Sequence, residues 1–155
     1  MKPLLPMLVL LFLASTCASA VEPADFDLWK GSLVQGAGKR LRPKIDDQKF
    51  AWEPMGTYKN HLIGISHRDG DGSAELHENQ VDIWIVEAGE ATLIEGGKIV
   101  DPKTVKPHEV RGVSIEGGTS RQLSAGDIVH INANIPRQLK IPKSFTYLVI
   151  KVDNE

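Results

Sequence analysis

Glu75 and His77 stand one residue apart in the segment Ser73-Ala74-Glu75-Leu76-His77. That segment has the length and flanks of a short strand, and residues i and i+2 of a strand project from one face. A carboxylate and an imidazole therefore point the same way. Asp82 opens the next strand and is placed to meet them at the mouth of a barrel. One imidazole and two carboxylates suit a divalent transition metal such as Mn, Fe, Ni or Zn. Three protein ligands would leave coordination positions for water or substrate. The same three groups could equally form a hydrogen-bonded polar cluster that holds no ion. Trp84 shares a face with Asp82 and either lines the pocket, as a substrate-binding residue, or fills the core.

The other chemistry-bearing residues are less constrained. His130 has apolar neighbours in Ile128–Ile131 and reads as a core or rim histidine. His61 and His67 share strand parity and could face a cavity, though surface positions are the commoner outcome. His108 falls in a loop. Tyr147 and Lys151 in the final strand have no assigned role. No glycine-rich phosphate loop precedes a helix, and neither a serine elbow nor a two-histidine helix motif occurs.

The elements that must position these residues are short strands. Residues 61–67, 73–77, 81–88, 91–94, 110–115, 121–123, 128–131, 136–141 and 144–152 are apolar or alternating runs, separated by Gly and Pro turns. Spacing near ten residues argues for an all-β sandwich or barrel. Residues 101–109, with two prolines and several charges, read as a loop. Before the strands, residues 21–50 form an arm. Asp25 or Asp27 could cap a short helix there that carries Leu28, Trp29 and Leu33 and stops at Gly36 and Gly38. The arm is expected to pack outside the barrel or on a partner subunit.

The first twenty residues read as a signal peptide: Lys2, the apolar run Leu4–Ala14, then the small-x-small site Ala18-Ser19-Ala20. The run is shorter than the roughly 20 residues a span needs, so no stable membrane span is expected after cleavage. A lipoprotein site at Cys17 ranks below simple cleavage, because Thr16 before it is bulky for such a site. The single cysteine leaves with the leader. So does Lys2, leaving 17 basic residues against 20 acidic ones, which argues against a nucleic-acid partner. The expected organisation is a signal peptide at 1–20, the arm at 21–50 and one β domain at 51–155, in a secreted or periplasmic protein.

Two segments resemble the motifs of the cupin superfamily. In Glu75–Gly89, Glu75 stands where the first histidine of the first cupin motif would be. His77 matches the second, Asp82 takes the acidic place, and Gly89 takes the glycine seven residues later. In Ala125–Arg137, the Gly126-Asp127 turn and the strand after it resemble the second motif. There Asn132 stands for its proline, Asn134 for its glycine and Arg137 for its histidine. The resemblance implies a single cupin-like barrel of the double-stranded β-helix, jelly-roll type, with a short N-terminal helical arm, and it implies a homodimer.

The resemblance also makes Arg137 the central question. Its guanidinium stays protonated and offers no lone pair to a metal. Either Arg137 binds an anionic substrate above a three-ligand metal held by Glu75, His77 and Asp82, or it replaces the metal by pairing with Glu75 or Asp82. Three functions follow: a metal-dependent enzyme acting on a small polar metabolite, a metal-free module that binds a sugar or organic acid, and a structural domain without chemistry. The fold alone does not choose among them.

Overall fold

The computed structural model describes residues 26–154. The expected signal peptide and one candidate cap, Asp25, lie outside them; the other candidate, Asp27, does not cap the first helix, whose N-cap is Lys30. Two short helices, α1 (Gly31–Gln35) and α2 (Ala37–Leu41), and one 3-10 turn (Arg42–Lys44) precede thirteen strands. The strands are β1 (Phe50–Thr57), β2 (His61–Arg68), β3 (Ala74–His77), β4 (Gln80–Gly89), β5 (Ala91–Glu95), β6 (Lys98–Val100) and β7 (Lys103–Lys106), then β8 (Glu109–Gly112), β9 (Ser114–Glu116), β10 (Thr119–Leu123), β11 (Ile128–Ile131), β12 (Arg137–Lys140) and β13 (Phe145–Asp153).

Two antiparallel sheets face each other. One runs β1-β2-β13-β4-β11, the other β10-β5-β12-β3-β8-β7, and β6 pairs with β9 as a separate ribbon. The all-β architecture expected from the strand spacing is the one observed. Strand periodicity explains the layering. On β4, Asp82, Trp84 and Val86 are buried and alternate with half-buried Val81, Ile83 and Ile85. On β13, Phe145, Tyr147 and Val149 enter the core between the sheets, where Trp84, Leu93, Leu123, Ile131 and Leu139 join them.

The opposite face of the first sheet is covered by the arm. Ala37 and Leu41 of α2 are fully buried against Ala51 and Ile65, with Met55 and Leu148 alongside. Ion pairs fasten this arm: Arg40 to Glu53 at 2.6 Å, Arg42 to Asp69 at 2.9 Å and Lys44 to Glu53 at 3.6 Å. Of the two expected locations for the arm, it occupies the outer face of its own barrel.

Three local expectations are corrected. The helix begins at Gly31 and leaves Leu28 exposed. Gly36 interrupts it, but Gly38 lies inside α2, because a Cβ there would come within 2.8 Å of the Thr146 hydroxyl. This close approach is what brings the helix down onto the sheet. The run 110–115 is two strands in different sheets, broken at Val113, whose side chain is exposed as the chain turns the corner. Within the expected loop 101–109, Lys103–Lys106 pairs with β8 as an edge strand exposed along its whole length. An edge strand of this kind shows no burial period that would mark it in sequence.

Candidate functional site

Backbone register assembles the site. Across the second sheet, Arg137 of β12 lies opposite Glu75 of β3, and Glu75 lies opposite Arg111 of β8. One step along, His77 faces Glu109. From the first sheet, Asp82 of β4 lies opposite Lys151 of β13. Charges of opposite sign thus sit side by side within each sheet, an arrangement that favours the pairing. The two sheets bring both groups together between them.

The side chains close this layout into a network. Arg137 is 1 % exposed, Asp82 1 % and His77 2 %. The Nη2 of Arg137 donates to Asp82 Oδ2 and to His77 Nδ1, and its Nε lies 3.9 Å from Glu75 Oε1. Arg111 reaches Glu75 at 3.0 Å and Glu109 at 2.6 Å. Lys106 reaches Glu109 at 2.7 Å. Lys151 Nζ stands 3.3 Å from His77 Nε2 and 3.8 Å from Asp82 Oδ1.

The electrostatics follow from this pairing. Burial pushes the Glu109 carboxyl up, but hydrogen bonds from Lys106 and Arg111 outweigh it and hold the group down at about 2. Burial likewise pushes Asp82 up, and the charges of Arg137 and Lys151 oppose that, leaving it below the usual carboxylate range. For Lys151, burial pushes the ammonium down. Asp82 and Glu75 oppose that shift without reversing it, and Arg137 adds to it.

A cavity of about 600 Å³ opens over this network. Glu75, Asp82, Glu109, Arg111 and Lys151 contribute to its wall, as do Arg68 and Lys106. Phe50, Trp52, Trp84 and Tyr147 supply aromatic surface. Trp84 packs on Tyr147 with ring centres 5.2 Å apart in the core, and it also reaches the cavity wall.

The residues singled out in the sequence are distributed as follows. Glu75, His77 and Asp82 do converge, but the Arg137 guanidinium joins them. Among the described residues, the set of donors within 4.8 Å of one another is Glu75, His77 and Glu109 rather than the trio with Asp82. Arg137, expected at the wall as a substrate anchor, is not among the cavity-lining residues and lies buried behind them. His67 points away from the cavity, toward α2, with Nδ1 2.7 Å from the Thr146 hydroxyl and Nε2 3.2 Å from Asp69. His61 stacks on Tyr58. His130 is exposed on the edge strand β11, which corrects the core or rim reading; Ile131 beside it carries the burial. His108 is exposed beside Glu78.

Sequence reasoning missed Glu109 and Arg111. The Glu109-Val110-Arg111 alternation puts both on one strand face, but it was hidden by the prolines before it, which read as loop.

Glu75, His77 and Glu109 form a group of the right kind for a divalent metal, one nitrogen and two carboxylates. The surroundings do not suit one. The three carboxylates Glu75, Asp82 and Glu109 are matched against four cations, Arg111, Arg137, Lys106 and Lys151. His77 offers Nδ1 to a guanidinium and has an ammonium beside Nε2. A dication would enter a cluster that is already net positive. The structure therefore supports no chemical step through a metal.

No protein-family model matches the chain, and no curated protein matches it. Solved structures do. An uncharacterised Klebsiella pneumoniae protein with a double-stranded β-helix domain is 16% identical, with 71% of this chain and 82% of that one covered and a TM-score of 0.52. A cupin domain from Schizosaccharomyces pombe is 5% identical, with 72% and 71% covered and a TM-score of 0.53. KdgF from Halomonas sp. is 12% identical, with 70% and 84% covered and a TM-score of 0.51. At these identities the likeness is one of fold.

Proposed function

With the fold of the cupins as its frame, as the likeness to those solved structures shows, we propose that this chain is a binding barrel for a small organic acid or acidic sugar and needs no metal to bind it. One observation carries the reading. The cavity wall holds four cations, Arg68, Lys106, Arg111 and Lys151, against three carboxylates, and the carboxylates are already paired. Lys151 is left with an Asp82 oxygen no closer than 3.8 Å. Arg68 lies over the Phe50 ring, and its Nε is buried without a hydrogen-bond partner. Arg68 also lines the cavity, where an anionic ligand would give its guanidinium a charge-assisted partner.

The wall chemistry defines the ligand further. Arg68 and Lys151 supply donors for carboxylate oxygens, Arg68 in the forked geometry that suits two of them. Glu75 and Gln80 offer acceptors for hydroxyl groups, and Trp52 offers a face for the C–H surface of a sugar ring. The reading extends to location and assembly: the sequence supports an exported protein acting outside the cytoplasm, and the cupin resemblance supports a homodimer. Among the described residues no helix is long and apolar enough to cross a membrane.

The test is calorimetric titration of the mature protein with glucuronate, gluconate and succinate, with glucose as the neutral control. At least one acid should bind, glucose should not, and Lys151→Met should weaken the acid by about tenfold or more, the loss of one charge-assisted contact. Equal binding of glucose and glucuronate would reject the proposal, as would unchanged affinity in both Lys151→Met and Arg68→Met.

A second reading, a metal-dependent enzyme, has the Glu75, His77 and Glu109 group in its favour. It requires metal that co-purifies stoichiometrically and is lost in His77→Ala.

A further inference from the structure

We infer that the Arg137 guanidinium is the built-in cation of this barrel: it does for Asp82, His77 and Glu75 what a bound metal would do, and its presence is what keeps a divalent ion out. The inference rests on the metal-free reading above and gives it a cause.

Four observations carry it. First, Arg137 is among the most deeply buried large side chains of the molecule, although arginine is rarely fully buried unless paired. Second, its partners are the residues whose types and spacing invite a metal. It donates to Asp82 and to His77, and it approaches Glu75. Third, backbone pairing sets this position. Arg137 lies opposite Glu75 in the β12–β3 pair, so an extended strand must direct it at the same centre. Fourth, the contact orients the imidazole. A guanidinium only donates, so His77 Nδ1 accepts and the ring proton is left on Nε2, on the side of the Glu109 carboxylate 3.7 Å away. A metal ion at Nδ1 would enforce the same arrangement.

With Nδ1 accepting from the guanidinium and the ring proton on Nε2, His77 has no lone pair left for a metal held with Glu75 and Glu109, so the two are mutually exclusive. An Arg137 that merely filled space would not be. Removing its charge should therefore uncover metal affinity, whereas keeping a charge of the same sign should not.

The experiment compares wild-type protein with Arg137→His, Arg137→Gln, Arg137→Lys and the double variant Arg137→His/His77→Ala. All are purified without affinity-tag metal, loaded with Co²⁺, and freed of excess ion by dialysis. Bound metal is read by elemental analysis and by the visible absorption of ligated cobalt. Arg137→His should hold at least about tenfold more cobalt than wild type, on the scale by which changes around metal sites alter affinity. Arg137→Gln should gain less, Arg137→Lys nothing, and the double variant should lose the gain. Stoichiometric cobalt in wild type that disappears in His77→Ala overturns the inference. So does the absence of any gain in Arg137→His and Arg137→Gln when both are folded by near-ultraviolet circular dichroism.

Should neither variant fold, wild type decides. In ¹⁵N-histidine spectra, His77 Nδ1 should report an unprotonated acceptor whose shift is unchanged by excess Zn²⁺, and a zinc-dependent shift overturns the inference. Acid binding is read separately by calorimetry. A metal-binding wild type that still binds glucuronate through Lys151 defeats this inference alone, whereas a metal-free barrel that binds no acid defeats only the proposed ligand.

Discussion

At the scale of single residues, Glu109 shows how pairing outweighs burial. Its side chain is almost fully buried, yet two cations keep it ionised down to about 2, well below the ordinary value of 4.5 for a free glutamate. A carboxyl lower in the folded than in the unfolded chain adds stability above the unfolded value and loses it as acid protonates it. Stability should therefore fall as the pH drops from about 4.5 toward 2, by about 2 kcal/mol from this residue once the exposure of Lys106 is discounted. Glu109→Gln should flatten that part of a urea-denaturation series against pH, and an unchanged slope would count against the pairing. Neither Glu109 nor Arg111 was visible as a site residue in the sequence. Their meaning comes from lying opposite His77 and Glu75, and nothing in residues 101–112 fixes that partner strand.

At the scale of elements, the hairpin that closes β4 depends on Gly89. Its φ is +87°, and a Cβ there would lie 2.0 Å from the carbonyl oxygen of Ser144. Both the backbone conformation and the approach of β13 therefore require glycine. Gly89→Ala should destabilise the barrel by about 2 kcal/mol or more, measured as a lower midpoint of denaturation. A midpoint equal to wild type would show that the turn relaxes. This glycine was legible, since it follows the eight-residue run 81–88 at the point where the chain must reverse. The arm was less so. Gly38 looked like a helix stop, and only the nearness of Thr146 shows why a glycine sits within α2.

At the scale of the whole molecule, the barrel carries two apolar interiors, one between the sheets and one between the first sheet and the arm. The second rests on Leu41, which is fully buried. Leu41→Ala should cost about 3 kcal/mol, within the range for large-to-small changes in a core. A single cooperative transition would show that arm and barrel unfold together, and a separate early transition would show the arm to be an independent layer. Either outcome can be read by comparing near- and far-ultraviolet dichroism along one denaturant series.

The sequence alone determined that the domain is all-β, because alternating apolar residues and regularly spaced turns are local properties and hydrophobic burial acts on them strand by strand. It also determined that Glu75 and His77 share a face, since strand geometry dictates this whatever the partner. Which groups meet across the gap was decided by the tertiary structure. Arg137 lies 60 residues from His77 in the chain, and Lys151 lies 74 residues from it. Their convergence depends on strand order and sheet facing, which no local pattern encodes. The same four residue types in an extended chain would be a metal site, a ligand anchor or a salt bridge with equal ease. Only the packing of two sheets places the guanidinium at the centre of the donors.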